Sequence, residues 1–215
     1  MFNPSATMAS NAATSAVLKN TYTLLSMTLL FSALTAFIGM SYPVTGWASL
    51  GIFGAVLGLL FAIRAYRNSP VGVALVFVLT GLMGFSLGPT LNHQLGMAGG
   101  GQTVGLALLT TGAAFFGLSG YVHATKKDFS FMGGFLFIAL LGLVIVTIVN
   151  IFFPVPGLSL ALAYFSALLF SGYILYDTSN IVNGHETNYV SATVSLYLDI
   201  FNLFTALLRI IGGRS

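Results

Sequence analysis

The chain has 215 residues, of which 57% are hydrophobic and 5% are charged, with a formal net charge of +3 and a mean hydropathy of +0.97. This composition excludes a soluble globular domain and predicts a multi-pass membrane protein, with the lipid bilayer as its surroundings and no nucleic-acid partner. The lack of cysteine excludes both a disulfide framework and a thiolate metal site.

Residues 1–18 form a polar stretch rich in Ala, Ser, Thr and Asn, with no basic region before it. A cleavable signal peptide begins with such a basic region, so we expect a flexible cytoplasmic tail. The first apolar segment would then act as the export signal. Residues 19–215 are predicted to form a single transmembrane domain.

Seven apolar segments follow, each long enough to cross a hydrocarbon core of about 30 Å. Short joints rich in Pro, Gly or polar residues separate them, and no linker is long enough to divide the chain into domains. The fold is therefore predicted to be an all-α bundle of seven transmembrane helices. The segments lie near residues 21–40, 47–66, 71–91, 104–124, 131–153, 158–182 and 192–211.

The positions of Lys and Arg predict the orientation of the bundle, because cytoplasmic loops carry an excess of these residues. The three loops on the other side contain neither. Seven crossings place the C-terminus outside, where Arg209 and Arg214 oppose the trend, so a re-entrant last segment with a cytoplasmic C-terminus remains an alternative. The five residues on the predicted cytoplasmic side are Lys19, Arg64, Arg67, Lys126 and Lys127.

Two aspartates lie inside apolar segments of a chain that has four acidic residues in all. An ionised carboxylate at membrane depth costs roughly 3 kcal/mol on insertion scales, so a chain that keeps two of them is expected to use them. From the helical rise, Asp177 lies about 8 Å and Asp199 about 10 Å inside the predicted cytoplasmic ends of the last two helices. Consecutive antiparallel helices are neighbours, so the carboxylates are predicted to face each other near the cytoplasmic mouth.

Polar residues accompany both aspartates at helical spacing. Ser191, Ser195 and Asn202 share a helix face with Asp199, and Tyr173 and Asn180 share one with Asp177. Polar stripes on membrane helices face other helices or water, which predicts a polar seam near the aspartate pair. The alternative for the Ser and Asn residues is that they only join helices by hydrogen bonds.

Two adjacent carboxylates cannot both ionise comfortably and should titrate as a coupled unit. A shared proton would bridge the two helices, and its loss would replace the bridge by repulsion. The pair is therefore predicted to act as a pH-operated latch, whose open state offers cations a negative, water-accessible site.

Two segments, YILYDTSNI at 173–181 and SLYLDIFNL at 195–203, resemble the signature of the Bax inhibitor-1 (TMBIM) family, and most closely its bacterial YccA/YetJ-like branch. The resemblance covers about residues 19–212. Further similar segments are NTY at 20–22, GPTLN at 88–92, KDFSF at 127–131, NIF at 150–152, ETNY at 186–189 and LLR at 207–209.

The resemblance implies seven helices with the last one central, and a pH-sensitive calcium leak whose paired aspartates correspond to Asp177 and Asp199. Calcium would be the transported ion, bound weakly and transiently by the pair, and no cofactor is implied. An arginine at the end of the second helix, which pairs with the first aspartate in some members, corresponds to Arg64 or Arg67, with Arg64 preferred. This chain lacks the extra carboxylate that a few relatives carry in that helix, which weakens the expectation for calcium.

Bacterial members of this family imply a location in the cytoplasmic (inner) membrane and modulation of a membrane-anchored ATP-dependent protease. A non-conducting partner of that protease, contacted through the N-terminal tail, is therefore the alternative function.

Paired intramembrane aspartates also resemble those of aspartyl intramembrane proteases, which would make the chain an enzyme. The second aspartate of those enzymes follows Gly-x-Gly, whereas Asp199 follows Leu196-Tyr-Leu198. No glycine opens the helix for a substrate backbone, so the chain is predicted not to be an enzyme.

Overall fold

The computed structural model describes residues 4–44 and 46–213. Within these ranges the chain forms seven long α-helices and one short 3-10 helix, Ser130–Met132, and contains no strand. Each α-helix is long and apolar enough to cross a membrane, which confirms the predicted fold class. The helices are α1 Pro4–Gly39, α2 Gly46–Tyr66, α3 Pro70–Leu95, α4 Gly100–Thr125, α5 Gly133–Phe152, α6 Leu158–Val182 and α7 Tyr189–Gly212.

The helix ends differ from the prediction by three or more residues at four places. Helix α3 ends at Leu95, four residues after the predicted end, and α4 begins at Gly100, four residues before the predicted start. Residues 4–18, predicted as part of a flexible tail, continue α1 as helix, and residues 1–3 of that tail lie outside the described residues. Helix α7 begins at Tyr189, three residues before the predicted start. Its first turn is capped by Asn188, whose Oδ1 accepts a hydrogen bond from the Ser191 backbone N–H at 3.0 Å. The apolar pattern of the sequence does not detect such a cap.

The described residues divide into two compact units. The first comprises α1, α2, α3 and Gly184–Tyr197, and the second comprises α4, α5, α6 and the part of α7 from Leu198 onward. Helix α3 packs against α1 and α2 in the first unit, and α6 packs against α4 and α5 in the second. Helix α7 contributes to both units and is the most buried of the seven, with 56% of its most apolar window buried, against 6% for α2. The central position predicted for the last helix stays a prediction.

Helices α1 and α3 approach each other through glycine. A Cβ atom added at Gly88 would collide with the backbone of Gly39 and Met40, and one at Gly84 would collide with the carbonyl oxygen of Ser32. Small residues let membrane helices approach until their backbones are in contact. In lipid the hydrophobic effect does not drive helices together, so dispersion forces and polar contacts at such close approaches hold them. The first unit therefore depends on this α1–α3 contact.

Tyr197 joins α7 to the other helices of the first unit. Its side chain is completely buried. The hydroxyl donates a hydrogen bond to the Thr80 carbonyl at 3.2 Å and accepts one from Ser32 Oγ at 2.7 Å. One phenol thus satisfies polar groups of both α1 and α3 in a place that water does not reach.

Candidate functional site

The two aspartates of the predicted latch lie in the second unit, Asp177 on α6 and Asp199 on α7. Asp199 is only 4% exposed, whereas Asp177 is half-buried. The two carboxyl groups lie within hydrogen-bonding and electrostatic range of each other. Oxygen Oδ2 of Asp199 is buried without a hydrogen-bond partner among the described residues. The structure therefore brings the two side chains together.

A hydrogen bond between two carboxyl groups needs a proton on one of them. The pair thus carries at most one negative charge while the bond exists. If that proton is lost, two anions remain in contact, and the buried Asp199 lacks the water that would screen the repulsion. We therefore expect the contact between α6 and this part of α7 to depend on the protonation of the pair.

Tyr173 lies one helical turn before Asp177 and within electrostatic range of both aspartates. Its ring contacts those of Phe170, with centroids 6.0 Å apart, and Tyr176, with centroids 6.4 Å apart. A Cβ atom added at Gly133 would lie 2.8 Å from the Tyr176 hydroxyl, so α5 begins close against this aromatic cluster. Tyr173 is thus a predicted seam residue that interacts electrostatically with both aspartates.

Two hydroxyl residues directly after Asp177 fix the end of α6, and the sequence pattern did not reveal them. The Thr178 hydroxyl lies 3.1 Å from Ser119 Oγ of α4. Ser179 Oγ accepts a hydrogen bond from the Phe129 backbone N–H at 2.8 Å. Hydroxyl side chains commonly join membrane helices, which could have marked Thr178 and Ser179 in the sequence, but spacing alone does not name their partners.

The remaining predicted residues are spread over both units. Asn202 donates a hydrogen bond to the Leu198 carbonyl of its own helix at 2.8 Å, and Asn180 is half-buried on α6. Ser195, Arg64 and Arg67 belong to the first unit, so their roles near the gate stay predictions. Both arginines are exposed at the end of α2.

The metal-binding capacity of the aspartate pair is limited by its ligand count. Within residues 4–44 and 46–213, no group of three or more His, Asp or Glu side chains is arranged to hold a metal ion. A tight calcium site takes six to eight oxygen ligands, several of them charged. Two carboxylates by themselves therefore fall short of the ligand set of a tight calcium site.

Comparisons with known proteins give the family. The family model described as "Inhibitor of apoptosis-promoting Bax1" matches residues 14–215. A membrane protein of Vibrio cholerae is 46% identical over 213 residues, which are 99% of this chain and 96% of that protein. The "Modulator of FtsH protease YccA" of Escherichia coli K12 is 43% identical over 199 residues, 93% of this chain and 90% of the relative. The matching protein of E. coli O6:H1, with the same identity and coverage, is named an inner membrane protein. The chain belongs to the Bax inhibitor-1 family.

Proposed function

We propose that the protein is a pH-sensitive cation leak in the membrane, with calcium as its cargo, and that Asp177 and Asp199 form the gate. The observation that carries this proposal is the proximity of the two carboxyl groups, one of them 4% exposed. A pair of amides would join the helices without an ionisation cost. Carboxyl groups at this depth are expected where a protonation change is used.

In the proposed cycle the shared proton holds α6 against the second part of α7, and the leak is closed. A rise in pH removes the proton, and the repulsion between two carboxylates loosens the contact. The same two charges then attract a cation at the mouth. Because the pair supplies few ligands, the cation is bound weakly and can leave, as conduction requires. Arg64, or alternatively Arg67, is proposed as the counter-ion of the first aspartate in the closed state.

The test is calcium flux into liposomes across about pH 5 to 8, for the wild type and for Asp177→Asn and Asp199→Asn. The wild-type flux should rise with pH, and both variants should lose most of this dependence because an amide has no proton to release. Asp128→Asn is the matched control. Asp128 accepts a hydrogen bond from the Ser130 backbone N–H in an exposed loop, and an Asn side chain keeps that acceptor. An unchanged pH profile in both gate variants would refute the latch.

A second candidate function is modulation of a membrane-anchored ATP-dependent protease, favoured by the 43% identity to a relative named for modulating FtsH. We propose for this role a location in the bacterial inner membrane with a cytoplasmic N-terminus, where residues 1–17 would be the contact. Deleting these residues should weaken protease coupling and leave ion flux unchanged. Equal loss of both properties would show that the two roles are not separable.

Both candidate functions are non-catalytic. A peptide-cleavage assay with an aspartyl-protease inhibitor tests this part of the proposal. Inhibitor-sensitive cleavage that is lost in Asp199→Asn would contradict it, because that substitution removes one member of an acid and base pair that could activate water.

A further inference from the structure

A cavity of about 620 Å³ lies in the first unit, where the turn between α2 and α3 meets the start of α7. Its polar wall includes Arg67, Asn68 and Thr187, and its apolar wall includes Pro70, Val73 and Tyr189. Its volume lies in the range of small-molecule sites. The aspartate pair belongs to the second unit, and neither aspartate lines the cavity.

Asn188 holds the walls of this cavity together. Its Nδ2 donates hydrogen bonds to the Asn68 Oδ1 at 2.7 Å and to the Arg67 carbonyl at 3.1 Å. Its Oδ1 caps α7, and its backbone N–H donates to Glu186 Oε1 at 2.7 Å. The Asn188 side chain thus uses its hydrogen-bonding groups to join the α2–α3 turn to α7. These bonds hold the walls of the cavity in place.

The polar groups left over at the cavity are mainly hydrogen-bond donors. The side-chain oxygen of Asn68, Oδ1, already accepts a hydrogen bond from Asn188. The NH₂ group is therefore the part of this side chain that remains to bind a ligand. The Arg67 guanidinium has five N–H donors and no acceptor, and the Thr187 hydroxyl can also donate. No carboxylate lines the cavity, and the nearby Glu186 is engaged by the Asn188 backbone. This set of groups suits an anion with several acceptor oxygens.

The cavity lies at the ends of three helices, and this position indicates which class of anion can reach it. Helix α2 ends at Tyr66, α3 begins at Pro70 and α7 begins at Tyr189. The ends of membrane-spanning helices lie at the level of the lipid headgroups, and basic pockets between such ends bind anionic headgroups. Pro70 and Val73 supply an apolar surface next to the polar groups, as the glycerol and first acyl carbons of a lipid require. We propose that this cavity binds the phosphate group of an anionic phospholipid.

The test is the number of phosphatidylglycerol molecules that the full-length protein retains in native mass spectrometry, after equilibration with equal amounts of phosphatidylglycerol and phosphatidylcholine. Arg67→Gln should lower selective retention of phosphatidylglycerol about fivefold, as expected for one basic group near a membrane surface. Asn68→Asp should have a similar effect, because it keeps the acceptor for Asn188 and replaces the NH₂ donor by a negative oxygen.

Arg64→Gln is the matched control, since Arg64 is an exposed arginine of the same helix end that does not line the cavity. It should retain phosphatidylglycerol as the wild type does. Equal loss in the Arg64 and Arg67 variants would overturn the proposal in favour of diffuse surface charge. Displacement of the lipid by millimolar glycerol phosphate would overturn the lipid assignment in favour of a soluble phosphate ester. Unchanged retention in both Arg67→Gln and Asn68→Asp would overturn the site itself.

Discussion

At the scale of single residues, removing the Tyr197 hydroxyl tests how much its buried hydrogen bonds stabilise the first unit. Tyr197→Phe removes the donor to the Thr80 carbonyl and the acceptor for Ser32, and leaves both groups in a dry environment. We expect the free energy of unfolding to fall by about 1–2 kcal/mol, measured by denaturation of the detergent-solubilised protein with circular dichroism.

Tyr42→Phe is the control for this prediction. Tyr42 is 57% exposed and contacts Phe85 through its ring, with centroids 5.8 Å apart, a contact that phenylalanine retains. Its stability should stay within about 0.5 kcal/mol of the wild type, as for other exposed substitutions. If Tyr197→Phe also falls within that range, the buried hydrogen bonds contribute nothing to stability.

The sequence identified the aspartate pair but not the residues that surround it. Asp177 and Asp199 were conspicuous because a carboxyl in an apolar segment has a large solvation cost, which composition alone makes visible. No such solvation cost marks Tyr197, Thr178 and Ser179, since buried hydroxyls are common in membrane helices. Their importance comes from partners 50 or more positions away in the chain, and no local pattern encodes those partners.

At the scale of helices, the crossing of α1 and α3 predicts that glycines differ sharply in how well they tolerate substitution by alanine. Gly88→Ala would place a Cβ atom against the backbone of Gly39 and Met40, which cannot move aside as a flexible side chain can. We expect a destabilisation of about 1–3 kcal/mol, the usual cost of overpacking. Thermal unfolding in detergent measures it.

Gly54→Ala on α2 is the matched control, because a Cβ atom there meets nothing within 4 Å. Alanine has the higher helix propensity, so this variant should be as stable as the wild type or slightly more stable. A loss at Gly54 equal to that at Gly88 would attribute the effect to glycine itself and not to the crossing.

The start of α7 gives a second prediction at this scale. Asn188→Ala removes the cap on the Ser191 N–H together with the bonds to Arg67 and Asn68. Losing a cap costs about 1 kcal/mol, and the lost bonds add to it. Asn188→Ser keeps a capping oxygen and removes the NH₂ donors without placing a charge beside the acceptors of Arg67 and Asn68, so its loss in unfolding free energy should be smaller. Equal losses in the two variants would contradict the role of Asn188 as a cap.

The apolar pattern predicted the number of helices because length and hydropathy suffice for that. Helix α6 has the predicted ends, 158–182, since Gly157 and Asn183 bound the segment on its two sides. The pattern failed where a helix extends beyond the hydrocarbon layer. The polar residues from Pro4 onward continue α1, and Asn188 starts α7 by capping. Neither feature depends on hydrophobicity, so the pattern could not detect it.

At the scale of the whole molecule, the charge distribution predicts which side of the membrane each loop faces. Five of the seven basic residues lie on one predicted side, and the positive-inside rule makes that side cytoplasmic. Both the proposed lipid cavity, through Arg67, and the predicted mouth of the leak depend on this orientation. A direct measurement of topology would therefore test an assumption that the functional proposals share.

The absence of cysteine makes this measurement simple, because single cysteines can be introduced without a background. Met97→Cys lies in the exposed α3–α4 loop and His185→Cys in the exposed α6–α7 loop. In spheroplasts, a membrane-impermeant maleimide should label the cysteine at 97 directly but the one at 185 only after lysis. Labelling of Ser215→Cys without lysis would establish seven full crossings, whereas its protection would favour a re-entrant last segment. The reverse pattern at 97 and 185 would invert the orientation and place the proposed lipid site in the outer leaflet.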